Sequence, residues 1–421
     1  MGLRFLVKRT RMDGPVIGRV LRLIAPLIVG LTLAGCAGAV SSASSNGGSI
    51  ASGAAPTPVS GRSTPEGSET RASSRTDQAY KTKIIKIVRS TIDLLMRSPA
   101  PGRPHSYANG VFRTEGESCW RCDVAPGMAA ADLARLFPRR ARYRQVAIAT
   151  FNAMISHHTY PDGSFGPPIG EPNDEISDTE VLNYLGVAYL DLKSWLSPAV
   201  KQRWLISIRR AADYLVPTLD YYVNGNINLD LTLSMYLAYR ATRDPAFLAD
   251  YNRSYEFTLY PPQNLWPGFG LHFAKQARAA NDSDGDGYLA EKGAGAPGFD
   301  PHYTTVQVGT LATLYALWRQ PRSLRLLNLE TNILLLRTNP KTDYFNGSGG
   351  SRGPATSYGY LESAGPPILL LAGHREDLTT VVTAELNEIS LSFRNYAVQD
   401  NDQDGPVAVF ANLLLLFIPG I

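Results

Sequence analysis

From residue 77 onward, apolar positions recur every three to four residues, the period of a helix with one buried face. Ile84, Ile87, Val88, Thr91 and Leu95 share one such face. Trp204, Ile208, Ala211 and Leu215 do so again, with Lys201, Arg209, Arg210 and Asp213 on the other sides. Helices of this kind cover the outside of a fold. A second kind is apolar nearly all round: residues 229–239, 304–318, 368–372 and 407–418, the last without any charge. Such helices are buried on most sides.

The two kinds alternate along the chain. The pattern predicts outer helices over 79–97, 140–158, 199–216, 245–257, 322–337 and 376–395. It predicts inner helices over 125–137, 178–192, 228–242, 304–319, 357–373 and 406–418, giving six pairs. Inner-to-outer links are short, and Pro138, Pro198, Pro245 and Pro321 stand near the outer-helix starts, where a missing N–H costs nothing. Outer-to-inner links are long and rich in Gly, Asp, Asn and aromatics. Their polar turns, Asp162-Gly163, Asn224-Gly225, Asp286-Gly287, Asn346-Gly347 and Asp404-Gly405, recur at about 60 residues.

This alternation resembles the (α/α)6 toroid of six-hairpin carbohydrate-active enzymes. The resemblance covers residues 77–421 and is architectural, and the Tyr160-Pro161-Asp162-Gly163-Ser164-Phe165 turn is similar to turns common in toroids. It implies an all-α ring of six inner and six outer helices. All long loops then gather at one end as a funnel. An open helical solenoid is the competing fold, with shorter repeats and more even loops.

The N-terminus reads differently. Six basic residues and one acid precede a short apolar run, Leu23 to Gly35, broken by Pro26. That run is too short to span a membrane and fits a secretory signal segment over 1–35. Leu33-Ala34-Gly35-Cys36 resembles a bacterial lipobox, which implies a lipid on Cys36 and a place on the outer side of a bacterial membrane. Residues 36–76 are rich in Ser, Gly, Ala and Pro and nearly lack bulky apolar residues, so they read as a tether rather than part of the fold.

Charge and composition change the picture in one respect. The chain holds 41 basic and 37 acidic residues. With the signal segment set aside, 35 basic face 36 acidic residues, so the folded part lacks the surplus of a nucleic-acid binder. The resemblance to carbohydrate-active toroids implies a polysaccharide or oligosaccharide as the partner, and the chain is expected to act as a monomer.

Candidate chemistry sits on the long loops, because variable loops on a rigid scaffold carry sites. The densest acidic group is Asp162, Glu171, Asp174, Glu175, Asp178 and Glu180. Glycoside hydrolysis needs two facing carboxyls, one protonated and one ionised; Asp162, Asp174 and Asp178 are the candidates. Acids at helix starts also cap free N–H groups, which is the plainer role. Elimination on a uronic acid needs a base and a group that neutralises the carboxylate; His302, Tyr303 and Asn228 fit those roles. Trp120, Tyr222, Asn226, Trp266 and Tyr360 are candidate sugar contacts.

Asp282, Asp284 and Asp286, and again Asp400, Asp402 and Asp404, form D-x-D-x-D-G runs. These match the first half of a calcium loop but lack its closing glutamate. Cys119 and Cys122 are the remaining cysteines, and a local disulfide suits an exported domain. The leading function is cleavage of glycosidic bonds by hydrolysis, with a lyase or a non-catalytic glycan-binding lipoprotein as alternatives.

Overall fold

A computed structural model of the chain describes residues 69–97, 106–108, 111–113, 124–166, 175–274, 285–293, 296–351, 358–361, 363–373, 375–396 and 414–415. All of them lie in one compact unit, Pro65–Ile421. Its helices are α1 Glu69–Leu95, α2 Ala125–Leu136, α3 Ala141–His157, α4 Glu175–Leu192, α5 Pro198–Leu215, α6 Gly225–Thr242, α7 Pro245–Leu259, α8 Pro301–Trp318, α9 Pro321–Leu335, α10 Gly365–Ala372 and α11 Thr379–Tyr396.

The alternation of polar-faced and apolar helices is present as read. Helices α2, α4, α6, α8 and α10 pack on one another in order, and α3, α5, α7 and α9 cover them from outside. The ring closes where α1 lies beside α11. There the Tyr80 hydroxyl pairs with Thr383 Oγ1 at 2.7 Å, and Lys83 Nζ donates to Asn387 Oδ1 at 2.5 Å. These residues are about 300 positions apart, so an open solenoid, which contacts only neighbouring repeats, is excluded. The fold is all-α and toroidal.

Close packing of the inner ring rests on small residues. A Cβ on Gly186 of α4 would stand 2.8 Å from Leu237 of α6, so only glycine lets these helices approach so closely. Trp204, on the apolar stripe of α5, is fully buried against Phe151 of α3 with ring centroids 5.4 Å apart. The outer helices start as their sequences suggest. Pro198, Pro245 and Pro321 occupy the first turns of α5, α7 and α9, while Ser197 and Asp244 cap the first two. Arg243 and Arg319 take positive φ (62° and 54°), which turns the chain back within two-residue links.

Three differences from the sequence reading stand out. The long loops hold two-stranded antiparallel hairpins: β1 Ser106–Ala108 with β2 Val111–Arg113, β3 Leu271–Phe273 with β4 Gly287–Leu289, and β5 Tyr344–Asn346 with β6 Tyr358–Tyr360. Three-residue strands are too short to show a period of two. The inner helix expected over 357–373 is only α10, eight residues long, because β6 takes the first part of that segment. Helix α1 starts at Glu69, inside the segment read as tether; Glu-Thr-Arg-Ala-Ser-Ser-Arg-Thr has no apolar stripe to announce it. Of the segment expected to form the last inner helix, 406–418, only 414–415 is described. No described helix is long and apolar enough to cross a membrane.

Candidate active site

Inner helices begin at the long-loop end, and their first turns hold the polar residues that the loops need. Asp178, in the first turn of α4, is fully buried and accepts the Phe165 amide at 2.6 Å. It ties the 160–165 turn to the helix. Within that turn Asp162 is exposed and accepts both the amide and the hydroxyl of Ser164, at 3.1 and 2.7 Å. The turn rests on the outer helix α5, where Arg210 donates to the Pro161 carbonyl. Gly163 (φ +101°) has no room for a side chain against the Arg210 carbonyl.

Asn228 is wholly engaged in shaping its own loop. Its Oδ1 accepts the amides of Val223 and Asn224, at 3.0 and 3.2 Å, and its Nδ2 donates to the Tyr221 carbonyl at 3.0 Å. Asn226 and the next long loop meet at Glu291. Its Oε1 accepts the Asn226 amide at 2.8 Å and the Gln307 side-chain amide of α8. A Cβ on Gly225 would press on Gln307 and Glu291, so the glycine permits this three-way junction. Glu291 and the neighbouring Glu330 of α9 are both fully buried. Burial first, and then the charge of Glu291, pushes Glu330 well above the usual carboxylate range.

Asp300 caps α8, accepting the amides of His302 and Tyr303, each at 3.1 Å. His302 is exposed beside the Tyr303 ring, with centroids 5.2 Å apart. The aromatic candidates form a rim. Tyr221 and Trp266 meet edge to face at 4.6 Å, and Trp266 reaches Phe269 at 6.4 Å. Tyr222 is buried behind them against Phe269 at 4.7 Å. Tyr221 is 56% exposed, so a ring face or edge remains open to solvent.

The residue that sequence reasoning did not put forward is Asp230. It lies on the second turn of α6, about 8 Å below the helix start at 1.5 Å per residue. Residues 225–239 carry no other charge. A lone carboxylate in an otherwise uncharged stretch of an inner helix must be paired or must face a cavity, and that was the legible signal. Asp230 keeps partial exposure while its neighbours on both sides are buried. Thr310 of α8 donates to its Oδ1 at 2.5 Å, and Asn183 of α4 donates to its backbone carbonyl at 3.3 Å. Ser234 donates to Asn183 Oδ1 at 2.8 Å. Residues of three successive inner helices therefore meet around Asp230, with Thr310 on its carboxyl. Burial pushes it up to about 7, against a smaller opposing effect of the Thr310 hydroxyl. Glu180 lies one turn above Asn183 on α4 and is half-buried.

Several candidates lie outside the described residues: Cys36, Cys119, Trp120, Cys122, Asp174, Asp282, Asp284, Asp400, Asp402 and Asp404. Tyr360 is described only as part of β6. Asp286 is half-buried, and burial raises its carboxyl. Among the described residues no three His, Cys, Asp or Glu side chains converge as a metal site.

No protein-family model matches the chain, and no curated protein sequence matches it. Solved structures do. A D-mannose isomerase superposes with a TM-score of 0.50 at 14% identity, covering 79% of this chain and 97% of its own. A β-1,3-1,4-glucanase from Paenibacillus sp. X4 gives 0.49 at 11% identity over 86% and 95%. A family 76 glycoside hydrolase from a bovine Bacteroides thetaiotaomicron strain gives 0.46 at 10% identity over 80% and 77%. At these identities the likeness is one of fold.

Proposed function

We propose that the protein hydrolyses glycosidic bonds, with Asp230 as the proton donor. The observation that carries this reading is a partly exposed aspartate on the inner wall, its carboxyl pushed up to about 7 by burial and held by Thr310. A general acid works best when its pKa lies near the working pH. Protonated Asp230 gives its proton to the leaving glycosidic oxygen as the bond to the anomeric carbon breaks. Water adds to that carbon, and its proton passes to an ionised carboxylate, the role we assign to Glu180. The half-open rings of Tyr221 and Trp266 on the loop rim support a sugar as the ligand, since apolar sugar faces stack on aromatic rings. The signal-like N-terminus supports work outside the cytoplasmic membrane, with a lipid on Cys36.

The test is cleavage of a polysaccharide panel by the wild type and by Asp230→Asn. Removing a general acid should lower turnover about 10²- to 10⁴-fold with folding intact. Wild-type activity should fall as pH rises through about 7, because the donor loses its proton there. The products should carry new reducing ends and no unsaturated sugar. Full turnover by Asp230→Asn would overturn the assignment; unsaturated products would mean elimination, and binding without cleavage a glycan-binding lipoprotein.

A further inference from the structure

The end of the ring opposite the loops carries a concentration of positive charge that the overall neutrality of the fold conceals. It gathers on the α2–α3, α4–α5 and α6–α7 links. Arg139, Arg140, Lys193, Lys201 and Arg243 are all exposed there. Among the described residues, no carboxylate lies within ion-pairing distance of any of these five. The cations also crowd one another. Partial burial, and then the charges of Arg243, Arg240, Arg135 and Lys201, hold the Lys193 ammonium below its ordinary value. Asp132 and Asp191 are fully buried beneath this cluster, and Asp244, beside Arg243, is engaged by Arg209 at 2.7 Å.

Helix electrostatics explains only part of this. A cation near a helix C-terminus is favourable, which accounts for Arg135 on α2 and Arg240 on α6. The outer helices start at the same end, and there a cation is unfavourable and an acid favourable. Yet the first turns of α3, α5 and α9 hold no acidic residue. Arg142 and Arg144 stand at the start of α3, and Lys201 at the start of α5. Arg142 donates to the Met96 carbonyl and Arg144 packs over the Trp195 ring, so those two also serve the fold, whereas Lys201 opposes the local preference of its helix without an ion pair among the described residues.

We infer that this short-link end is a docking surface for anionic lipid headgroups. The cations come from three neighbouring hairpins. With helices packed about 8–10 Å apart, they spread over a patch some 20 Å across. That breadth suits an array of charges rather than a single phosphate, and its spread in two directions suits a membrane plane better than one strand of a polymer. The inference draws on the proposed lipid on Cys36, which would keep such a plane within reach. Docking by this end turns the loop end, with Asp230, away from the membrane.

The experiment uses the full chain carrying Cys36→Ser, so that no acyl chain mediates binding. Fatty-acid labelling of the wild type, lost in this variant, separately checks the lipid reading. The unlipidated chain should sediment with phosphatidylglycerol-rich vesicles, not with phosphatidylcholine vesicles, and should be released by salt. Each neutralised cation should lower partitioning about fivefold. A combined Arg139→Gln, Arg140→Gln, Lys193→Gln, Lys201→Gln and Arg243→Asn variant, melting like its parent, should no longer bind. Asn is chosen at 243 because it tolerates the positive φ there. Equal binding to neutral and anionic vesicles, binding to neither, or tighter binding to a single-stranded oligonucleotide than to anionic vesicles would each overturn the inference. So would unchanged binding by the combined variant.

Discussion

At the loop end of the ring, buried Glu291 meets two amide donors, the backbone of Asn226 and the side chain of Gln307. At the short-link end, buried Asp132 and Asp191 meet chiefly each other. Burial, followed by the charge and hydrogen bond of Asp191, raises Asp132 well above the usual carboxylate range. Burial raises Asp191 to about 6, while its bond to Asp132 and the charges of Arg135 and Lys193 pull it back. Equal burial thus gives opposite consequences. A carboxylate supplied with N–H donors cross-links elements and can stay ionised. Two carboxyls supplied only with one another must retain a proton between them, and the fold is penalised wherever solvent would take it.

The largest expected effect tests the first half of this contrast. Glu291→Ala leaves the Asn226 amide and the Gln307 side chain without their acceptor at a dry junction. Loss of a buried partner of this kind costs roughly 2–4 kcal/mol, partly offset by relief of the repulsion on Glu330. Chemical denaturation should show the loss as a lower midpoint. If stability is unchanged, Glu291 does not hold the β3–β4 loop to α6, and the contrast between the two ends fails.

The second effect has the opposite sign. Asp132→Asn removes one carboxyl and supplies an N–H donor to Asp191. An unfolded aspartate titrates near 3.8, and Asp191 in the fold near 6. Well below pH 3.8 both states hold their protons, and the pair costs nothing extra. As pH rises from there, the unfolded chain releases protons that the folded pair keeps, so wild-type stability declines through pH 6 and above. The variant should show a shallower decline and be more stable at pH 8 by roughly 1–3 kcal/mol. Parallel pH profiles for the two proteins would show that the pair is not linked by a proton.

The same contrast governs what could be read from the sequence. Long amphipathic and all-apolar helices announced the ring, because ten or more residues are enough to reveal a 3.6-residue period. Three-residue hairpins carried no such signal, and neither did the polar first turns of α1. Acid-rich stretches drew attention to Asp162, Asp178 and the D-x-D-x-D-G runs, since density is visible in a sequence. Burial is not. Asp132, Glu330 and Asp230 are each the one acid of their helix, and that isolation marked them better than clustering did. Asn228 looked chemical because it could neutralise a uronic carboxylate. Its bonds to Val223, Asn224 and Tyr221 hold its loop over a helix start.

The smallest effect separates a dense acidic stretch from a working one. Asp162 is exposed, and its recorded bonds run to Ser164 two residues on, the pattern of an Asx turn. Asp162→Ala should therefore cost only about 1 kcal/mol, the net worth of two weak turn bonds to Ser164. The 160–165 turn would keep its other ties, the Phe165 amide on Asp178 and the Pro161 carbonyl on Arg210. Cleavage by this variant should stay within about twofold of wild type, because a residue outside the chemistry contributes none of the 10²- to 10⁴-fold of an acid or base. Assaying it beside Asp230→Asn gives the comparison its sharpest form, one acid in the densest acidic stretch against one alone on an inner helix. A hundredfold loss with Asp162→Ala at unchanged stability would move the chemistry to the 160–165 turn and leave Asp230 as a buried strut between α6 and α8.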